Sequence, residues 1–326
     1  MKFKIDEIKK EIFSLDVSGY SDFVDRKEEI IADIFASTPT LGDLVPQVGA
    51  KAGTTVELNI LESETILQNG QCVTDFSGST TLYPREAKIA RITNRKNMCI
   101  DKLDAKLPMI MKPGARNEEL PFAEQYINLE VANTANLLEK QVWQGDATGS
   151  TVNLNNFDGY LKISLGETAD LAYYNTFSSF TGTTAIDVMD EALANRSEKM
   201  WDDNDVVAYV SQPFFYALTK AIRSVEGINP TGAYNDSGHE EQVSKNAIYY
   251  PGTSVVVKAT QGLNGNNSVF ITTQGNLRYL TDLESDKENV DLFFDKYHKE
   301  LVSDLVFGMA VQYEFADRVI LLEYNG

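Results

Sequence analysis

The chain has 326 residues and a formal net charge of −19, with 43% hydrophobic and 10% aromatic residues. This length and apolar content predict a folded protein of one large domain with insertions or of two domains, and they exclude an intrinsically disordered chain. The acidic balance excludes a dedicated nucleic-acid binder, because phosphate recognition requires clustered Lys and Arg. No apolar run reaches the roughly 18 residues of a membrane span, and the N-terminus lacks a signal-peptide pattern, so we expect a soluble protein made in a cytoplasm.

The charge is unevenly distributed along the chain. Residues 51–116 contain ten basic and seven acidic groups, whereas residues 167–300 contain ten basic and twenty acidic groups. An acidic protein is still compatible with enclosing DNA, because like charge discourages tight binding.

The N-terminal segment is predicted to be helical over residues 3–16 and 22–36. Asp22 is a plausible N-cap of the second helix, and Pro39 lies beyond its end. The segment is charged enough to lie along another subunit as an arm. Packing on the chain's own core is the alternative.

From Thr54 the hydrophobic period changes to two, with Val56, Leu58 and Ile60 alternating with polar residues, which predicts a strand. Asn69-Gly70 is a strong turn signal, and a strand pattern resumes over residues 87–92. We therefore predict a long hairpin or loop of about 45 residues with little core-forming capacity, a length usually associated with function or disorder.

A strip of five basic residues follows this turn, opposed only by Glu86. It consists of Arg85, Lys88, Arg91, Arg95 and Lys96. A solvated strand face is the plainest interpretation. A more specific interpretation is that the strip docks on an acidic neighbouring subunit. A grip on the DNA backbone comes third, because the strip has no aromatic residues for base stacking.

Residues 117–144 are predicted to form one long amphipathic helix. Its apolar stripe recurs in steps of three and four, and it consists of residues 120, 123, 127, 131, 134, 138 and 142. Trp143, Gly145 and Asp146 end the segment, with Gly145 as a C-cap and Asp146 beginning the next turn. A rod of this length suits a structural spine better than an active-site wall.

An α/β section follows, in which a helix over residues 184–200 is predicted to begin with a capping box formed by Thr184 and Asp187. A buried strand is predicted at Asp205–Ser211, and Pro213 opens a helix that continues through Arg223. Residues 226–245 are predicted to be a surface loop. Further strands are predicted at residues 254–259, 269–273, 290–297, 303–314 and 318–324.

Signals of enzymatic chemistry are weak. Nucleophile-elbow, P-loop and dinucleotide-binding motifs are absent, and the sequence contains only two histidines, His239 and His298. Cys72 and Cys99 are interpreted as reduced thiols. The run 202–205 resembles the start of a calcium loop but lacks the required glycine and glutamate. We predict no catalytic, cofactor or metal site, and we interpret Trp143 and Trp201 as core or helix-end anchors.

The order of these parts resembles the tailed-bacteriophage major capsid proteins with the Hong Kong-97-type fold. The resemblance is carried by a spine helix, a Gly-Asp turn and a short strand of Phe-Asp-Gly-hydrophobic type. The motif-bearing residues are Glu139, Trp143, Gln144, Gly145, Asp146, Phe157, Asp158, Gly159 and Leu161. The helix–strand–helix succession over residues 184–223 is similar to the axial domain of that family, as is a late strand over residues 250–257.

The resemblance implies an α+β fold of the phage major capsid type with five parts. They are an N-terminal arm (1–48), an extended β-hairpin loop (49–115), a peripheral domain with the spine helix (116–175), an α/β axial domain (176–299) and C-terminal strands that return to the peripheral and axial sheets (300–326). Among the residues, it implies inter-subunit contacts by the basic strip and by Asn69 and Gly70. Trp143, Gly145, Asp146, Phe157 and Gly159 would be structural.

The implied function is a structural protein without enzymatic activity. It would assemble with itself, as pentamers and hexamers, into an icosahedral shell that encloses double-stranded phage DNA without reading its sequence. Scaffolding, portal and decoration proteins are candidate partners, and the implied location is the virion, assembled in the host cytoplasm. The alternatives are an encapsulin-like cargo shell, a tail-tube or neck protein, and an acidic carbohydrate-active enzyme that uses two carboxylates.

Overall fold

A computed structural model describes residues 33–44, 46–48, 53–63, 80–99, 122–201, 203, 205–226, 246–281, 290–295, 297 and 300–326. These residues form three β-sheets, five α-helices and a helical segment over residues 33–37, which agrees with the end of the helix predicted over 22–36. The predictions for residues 3–16 and for most of 22–36, for Asn69-Gly70 and for the loop 226–245 beyond Glu226 lie outside the described residues. In the part of the chain described, no helix is long and apolar enough to cross a membrane.

A five-stranded sheet is built around one long strand, β12 (Glu300–Tyr313). Its first part pairs antiparallel with β11 (Val290–Asp295) on one side and with β4 (Ala90–Cys99) on the other. Its last residues pair with β10 (Leu277–Thr281), which also pairs in parallel with β1 (Pro46–Val48). The sheet therefore joins segments from both ends of the chain.

The spine helix, α1, spans Phe122–Gln144 and is about 34 Å long at 1.5 Å per residue. The predicted stripe is confirmed where side chains are described: Val131, Thr134, Leu138 and Val142 are all buried. The helix packs against the five-stranded sheet. One contact between them is a 3.3 Å hydrogen bond that Asn94 Nδ2 of β4 donates to Thr134 Oγ1. Large apolar side chains between the two layers form the first core.

A six-stranded sheet contains β5 (Tyr173–Phe177), β6 (Val206–Ser211), β7 (Ala247–Tyr249), β8 (Val256–Thr260), β9 (Val269–Thr273) and β13 (Val319–Tyr324). The strand order is β5-β13-β9-β6-β8-β7. Every residue of β6 is buried, as predicted for this strand. Because successive side chains of a strand point to opposite faces, Tyr209 enters the first core while Ala208 and Val210 enter a second one.

The second core lies under three helices, α3 (Thr184–Ala194), α4 (Glu198–Trp201) and α5 (Gln212–Glu226). The prediction of one helix over residues 184–200 was wrong, because the chain leaves the helix at Asn195 and restarts at Glu198. The capping box was also wrong: Thr183 is the N-cap, and the Thr184 hydroxyl donates to the Thr181 carbonyl instead. The Pro213-led helix is confirmed and continues to Glu226.

The third sheet is a hairpin of β2 (Thr55–Ser63) and β3 (Thr80–Lys88), which pair antiparallel in continuous register. The strand predicted over residues 87–92 is divided between two sheets, because β3 ends at Lys88 and β4 of the five-stranded sheet begins at Ala90. The prediction of little core-forming capacity was wrong at the hairpin base. There Leu58, Ala87 and Ile89 are buried with residues of β10 and β12 in a small apolar cluster.

Four strands, β1, β5, β7 and β10, were not predicted from the sequence, and the start of β8 was misplaced. β5 is a half-exposed edge strand, and it pairs in parallel with β13. The segment expected as a strand from Tyr250 begins instead with a turn, in which Thr253 N donates to the Tyr250 carbonyl at 3.1 Å. The strand β8 starts only at Val256. The α+β fold class is confirmed.

Candidate assembly site

Trp143, at the end of the spine helix, is fully buried at the junction of the two large sheets. Its ring centroid lies 4.9 Å from that of Tyr209 and 5.4 Å from those of Phe270 and Tyr160. Tyr209 and Phe270 belong to the six-stranded sheet, so the packing of this indole connects that sheet to the helix. Aromatic pairs at these separations are worth about 0.5–1.5 kcal/mol each beyond their buried area.

Two glycines allow the chain to cross itself directly after the helix. Gly145 N donates to the Gln141 carbonyl at 2.8 Å, and Gly159 N donates to the Gly145 carbonyl at 3.0 Å. A Cβ on Gly145 would lie 2.6 Å from the Gln141 carbonyl oxygen, and one on Gly159 would lie 2.7 Å from that of Val142. Gly145 ends the helix as predicted, but it does so without a positive φ. Glycine is required at these two positions because a Cβ atom would collide with neighbouring main-chain atoms.

The Phe157–Leu161 segment was predicted to be a strand, and this was wrong. Gly159 is the N-cap of a helix, α2 (Tyr160–Gly166), which buries Tyr160, Leu161 and Ser164. Those positions repeat at the helical spacing of one and four residues, so the helical period prevails over the strand pattern. Phe157 is buried in the first core, and the Asp158 carboxylate accepts a 2.8 Å hydrogen bond from Ala147 N.

Asp146 organises the turn between the two helices. One carboxylate oxygen accepts hydrogen bonds from Thr148 N at 2.9 Å and from the Thr148 hydroxyl at 2.6 Å, and the other faces Lys162 Nζ at 3.0 Å. The Thr148 hydroxyl, followed by Lys162 and the Thr148 N–H, lowers the pKa of Asp146 from 3.8 to about 2. The five residues predicted to be structural (Trp143, Gly145, Asp146, Phe157 and Gly159) therefore meet at one junction.

A buried carboxylate links this junction to the segment that leads from the N-terminus. Glu139 is 1% exposed and accepts hydrogen bonds from Thr40 N at 3.0 Å and from the Thr40 hydroxyl at 2.6 Å. That hydroxyl in turn accepts a 2.9 Å hydrogen bond from Trp143 Nε1. Glu139 belongs to the predicted motif, but its role was not predicted, because its partner lies 99 positions away.

The structure divides the basic strip into two groups. Three of its members form ion pairs within the same chain: Arg85 with Glu167, Arg95 with Asp304, and Lys96 with Glu130 at 2.6 Å. Lys88 and Arg91 are exposed and face no carboxylate among the described residues. Since β4 pairs with β12 in the five-stranded sheet, the strip runs from the hairpin into that sheet. Asn69 and Gly70 lie outside the described residues.

Arg85 takes part in a contact that joins three elements. Its guanidinium pairs with Glu167, directly after α2, and lies 4.4 Å above the centroid of the Tyr313 ring. The Tyr313 hydroxyl donates a 2.9 Å hydrogen bond to the same Glu167 oxygen. Burial, and then the negative charge of Glu167, raise the pKa of Tyr313 well above its usual value.

Of the remaining candidate residues, Trp201 is described, and its side chain stacks with an arginine. Trp201 is 57% exposed at the end of α4, with the Arg196 guanidinium 3.8 Å above its ring centroid, so it is a helix-end residue outside the core. Across the described ranges, no group of three or more His, Cys, Asp or Glu side chains is placed to hold a metal ion. His239, His298 and Cys72 lie outside those ranges.

The architecture has clear counterparts among solved structures. No protein-family model and no curated protein matches the sequence. The fold is the Hong Kong-97-type fold of tailed-bacteriophage capsid subunits. Among the similar structures, the satellite phage P4 procapsid chain has a TM-score of 0.55 at 13% identity, over 90% of this chain and 89% of that one. The capsid of Ralstonia phage GP4 has a TM-score of 0.55 at 11% identity, over 87% and 88%.

A third structure broadens this group beyond phages. A virus-like particle from Pyrococcus furiosus has a TM-score of 0.50 at 10% identity, over 92% of this chain and 98% of that one. At these identities the likeness concerns the fold. It extends along nearly the whole chain, which agrees with the family resemblance seen in the order of sequence elements.

Proposed function

We propose that this protein is a structural shell subunit, the major capsid protein of a tailed bacteriophage. The observation that carries the proposal is the match in fold to capsid subunits over about nine tenths of the chain. A subunit of this kind acts through the geometry of its interfaces, in which heterologous contacts close into rings and shells. No enzymatic step is part of the proposed role.

The internal bracing of the chain supports this role. Trp143, Glu139 and Thr40 tie the spine helix to the six-stranded sheet and to the N-terminal segment, with all three side chains buried. A subunit braced in this way transmits load between its sheets because packed interiors deform little. We propose that the arm (1–48) and the extended loop (49–115) reach neighbouring copies, and that the axial domain (176–299) surrounds the symmetry axes.

Charge supports the assignment of one contact surface. Lys88 and Arg91 are the two members of the basic strip without a carboxylate in the described part of their own chain. Their location at the hairpin base leaves them available for an acidic neighbour. We propose that they contact the acidic residues 176–299 of an adjacent copy, and that Asn69 and Gly70, the predicted turn, also contact a neighbour. Electrostatic complementarity of this kind fixes register and excludes wrong pairings.

Electron microscopy of the purified full-length protein tests the proposal. We expect closed shells with five-fold and six-fold clusters of subunits, formed by the protein alone or together with a scaffolding protein encoded beside it. A protein that stays monomeric at every concentration, ionic strength and scaffold ratio would contradict the proposal. Open tubes or isolated rings would favour a tail-tube or neck protein, and turnover in a glycosidase screen would favour the carbohydrate-active enzyme.

A cargo shell of the encapsulin type is the second candidate. The likeness to the virus-like particle from Pyrococcus furiosus supports this candidate, because the match covers 98% of the chain of that particle. The contents of nuclease-treated particles from the native host distinguish the two. Protected double-stranded DNA of uniform length, with portal and terminase genes beside the gene, supports the phage capsid. A single packaged enzyme supports the cargo shell.

A further inference from the structure

The β2–β3 hairpin forms a sheet of its own, apart from the two large sheets. Its two strands pair with each other, from Thr55–Lys88 to Ser63–Thr80. An isolated two-stranded ribbon is at best marginally stable in water. The stability and direction of this hairpin therefore depend on the contacts that its base makes with the body of the subunit.

Two of those contacts are apolar or neutral. Leu58, Ala87 and Ile89 pack on Leu280 and Ala310 of the five-stranded sheet. Gln312 Nε2 also donates a 3.1 Å hydrogen bond to the Glu86 carbonyl. Both contacts bring β3 to β12, and neither reaches the helices.

The third contact is charged and joins the hairpin to a helix. Glu167 receives the Arg85 guanidinium from β3 and the Tyr313 hydroxyl from β12 on one carboxylate oxygen. The Arg85 side chain is 16% exposed and Glu167 is 37% exposed, so water screens this pair less than a surface ion pair. The stacking of Arg85 on Tyr313 restricts the guanidinium to one orientation.

We propose that Glu167 is a latch that docks the base of the β2–β3 hairpin on the body of the subunit by holding Arg85 against Tyr313. When the latch is closed, the hairpin leaves the subunit in one direction. When it is open, the apolar cluster and one amide hydrogen bond remain, and the base opens more often. That this direction influences how shells close rests on the proposed function.

Hydrogen exchange on the full-length, unassembled protein tests the latch directly. Glu167→Gln keeps the shape of the side chain and removes its charge. We expect amides in residues 53–58 and 85–89 to exchange about ten-fold faster, because the local opening free energy of the hairpin base falls. Tyr313→Phe keeps the ring under Arg85 and removes one donor, so its effect should have the same location and be smaller.

The matched control is Asp317→Asn, which breaks the 2.7 Å ion pair with Lys199, remote in sequence from the hairpin. It should leave exchange in the hairpin peptides unchanged. Arg85→Gln should reproduce the effect of Glu167→Gln, and the double variant should add little to either, because the two residues share one interaction. Exchange within two-fold of the parent in Glu167→Gln, an equal rise in residues 206–211 and 269–273, or additive effects would each overturn the latch.

Electron microscopy of the same variants separates this inference from the proposed function. We expect Glu167→Gln to broaden the distribution of particle diameters, and Asp317→Asn to leave it as in the parent. Uniform particles from Glu167→Gln would show that the latch has no influence on closure and would overturn that part of the inference. A parent protein that forms no shells would contradict the proposed function, while the exchange result on the unassembled protein would still decide the latch.

Discussion

Trp143 and Thr40 lie 103 positions apart in the chain, yet the indole Nε1 of Trp143 donates a 2.9 Å hydrogen bond to the Thr40 hydroxyl. The same hydroxyl donates to the buried carboxylate of Glu139 one helical turn earlier. One small side chain thus satisfies two large buried groups. Because buried polar groups without partners are costly, Thr40 fixes the point at which the N-terminal segment meets the spine helix.

Replacement of this hydroxyl should destabilise the subunit. In Thr40→Val the indole N–H and one carboxylate oxygen of Glu139 each lose a buried partner, at about 1–3 kcal/mol per group. The two losses together amount to about 2–6 kcal/mol, and relaxation recovers part of them, so we expect the free energy of unfolding in urea to fall by about 2–4 kcal/mol. Thr40→Ser keeps the hydroxyl and is the control, with a smaller expected loss. Equal stability of Thr40→Val and Thr40→Ser would show that the hydrogen bonds contribute little.

The glycine crossing gives a second prediction. In Gly145→Ala the new methyl group would lie 2.6 Å from the Gln141 carbonyl oxygen, and in Gly159→Ala it would lie 2.8 Å from Gly145 N. Main-chain atoms on both sides must move, so we expect each variant to lose about 3 kcal/mol or more, as overpacked cores do. Loss of soluble protein on expression would be consistent with the same outcome.

Gly166 supplies the matched control for the crossing. It lies at the end of α2, and a methyl group there would meet nothing within 4 Å. Gly166→Ala should therefore be neutral or stabilising by up to about 1 kcal/mol, because alanine favours the helix. Thermal unfolding of the three variants measures the contrast. A Gly145→Ala variant as stable as Gly166→Ala would contradict the requirement for space.

Acid should weaken the turn after the spine helix. The folded pKa of Asp146 is about 2, below the value of 3.8 for a free side chain, so its ionised form favours the folded state. This contribution is complete above about pH 4 and is lost as the pH falls toward 2. The melting temperatures of the parent and Asp146→Asn should therefore differ at neutral pH and converge between about pH 4 and 2. Thr148→Val removes the largest cause of the shift and should reduce the difference.

Much of the fold was accessible from the sequence because local periodicity determined it. Val131, Leu138 and Val142 face the core as their spacing predicts, and β6 is buried along its whole length. The succession of spine helix, turn and α/β section then indicated the capsid fold. The strand expected at Phe157–Leu161 came from the family resemblance, whereas the buried positions Tyr160, Leu161 and Ser164 have helical spacing.

The features that remained hidden depend on long-range partners. The sequence alone gives no partner for Arg95, yet strand pairing places it beside Asp304, 209 positions later. Nothing local marks Glu139 as buried, since its partner Thr40 belongs to another element. The requirement for glycine at position 145 also emerges only when the Phe157–Gly159 segment returns across the helix end. Pairing between distant strands is not encoded in any window of the chain.

Charge reversal at the hairpin base tests the proposed contact between copies. Lys88→Glu together with Arg91→Glu replaces two exposed positive charges by two negative ones, on a protein of net charge −19. Against an acidic neighbour, attraction becomes repulsion, and we expect the subunit concentration needed for assembly to rise about ten-fold or more. Light scattering and sucrose-gradient sedimentation measure that concentration.

The matched control exchanges the two cations while keeping their charge. Lys88→Arg with Arg91→Lys should assemble at close to the parent's concentration, because screened charge pairs of this kind depend mainly on sign. Raising the ionic strength from 0.1 M toward 1 M should weaken parent assembly, since the screening length falls from about 10 Å to about 3 Å. The charge-reversed protein should show the opposite salt response, because salt screens a repulsion in that case. Assembly of the charge-reversed protein at the parent's concentration would place Lys88 and Arg91 on a solvated strand face instead.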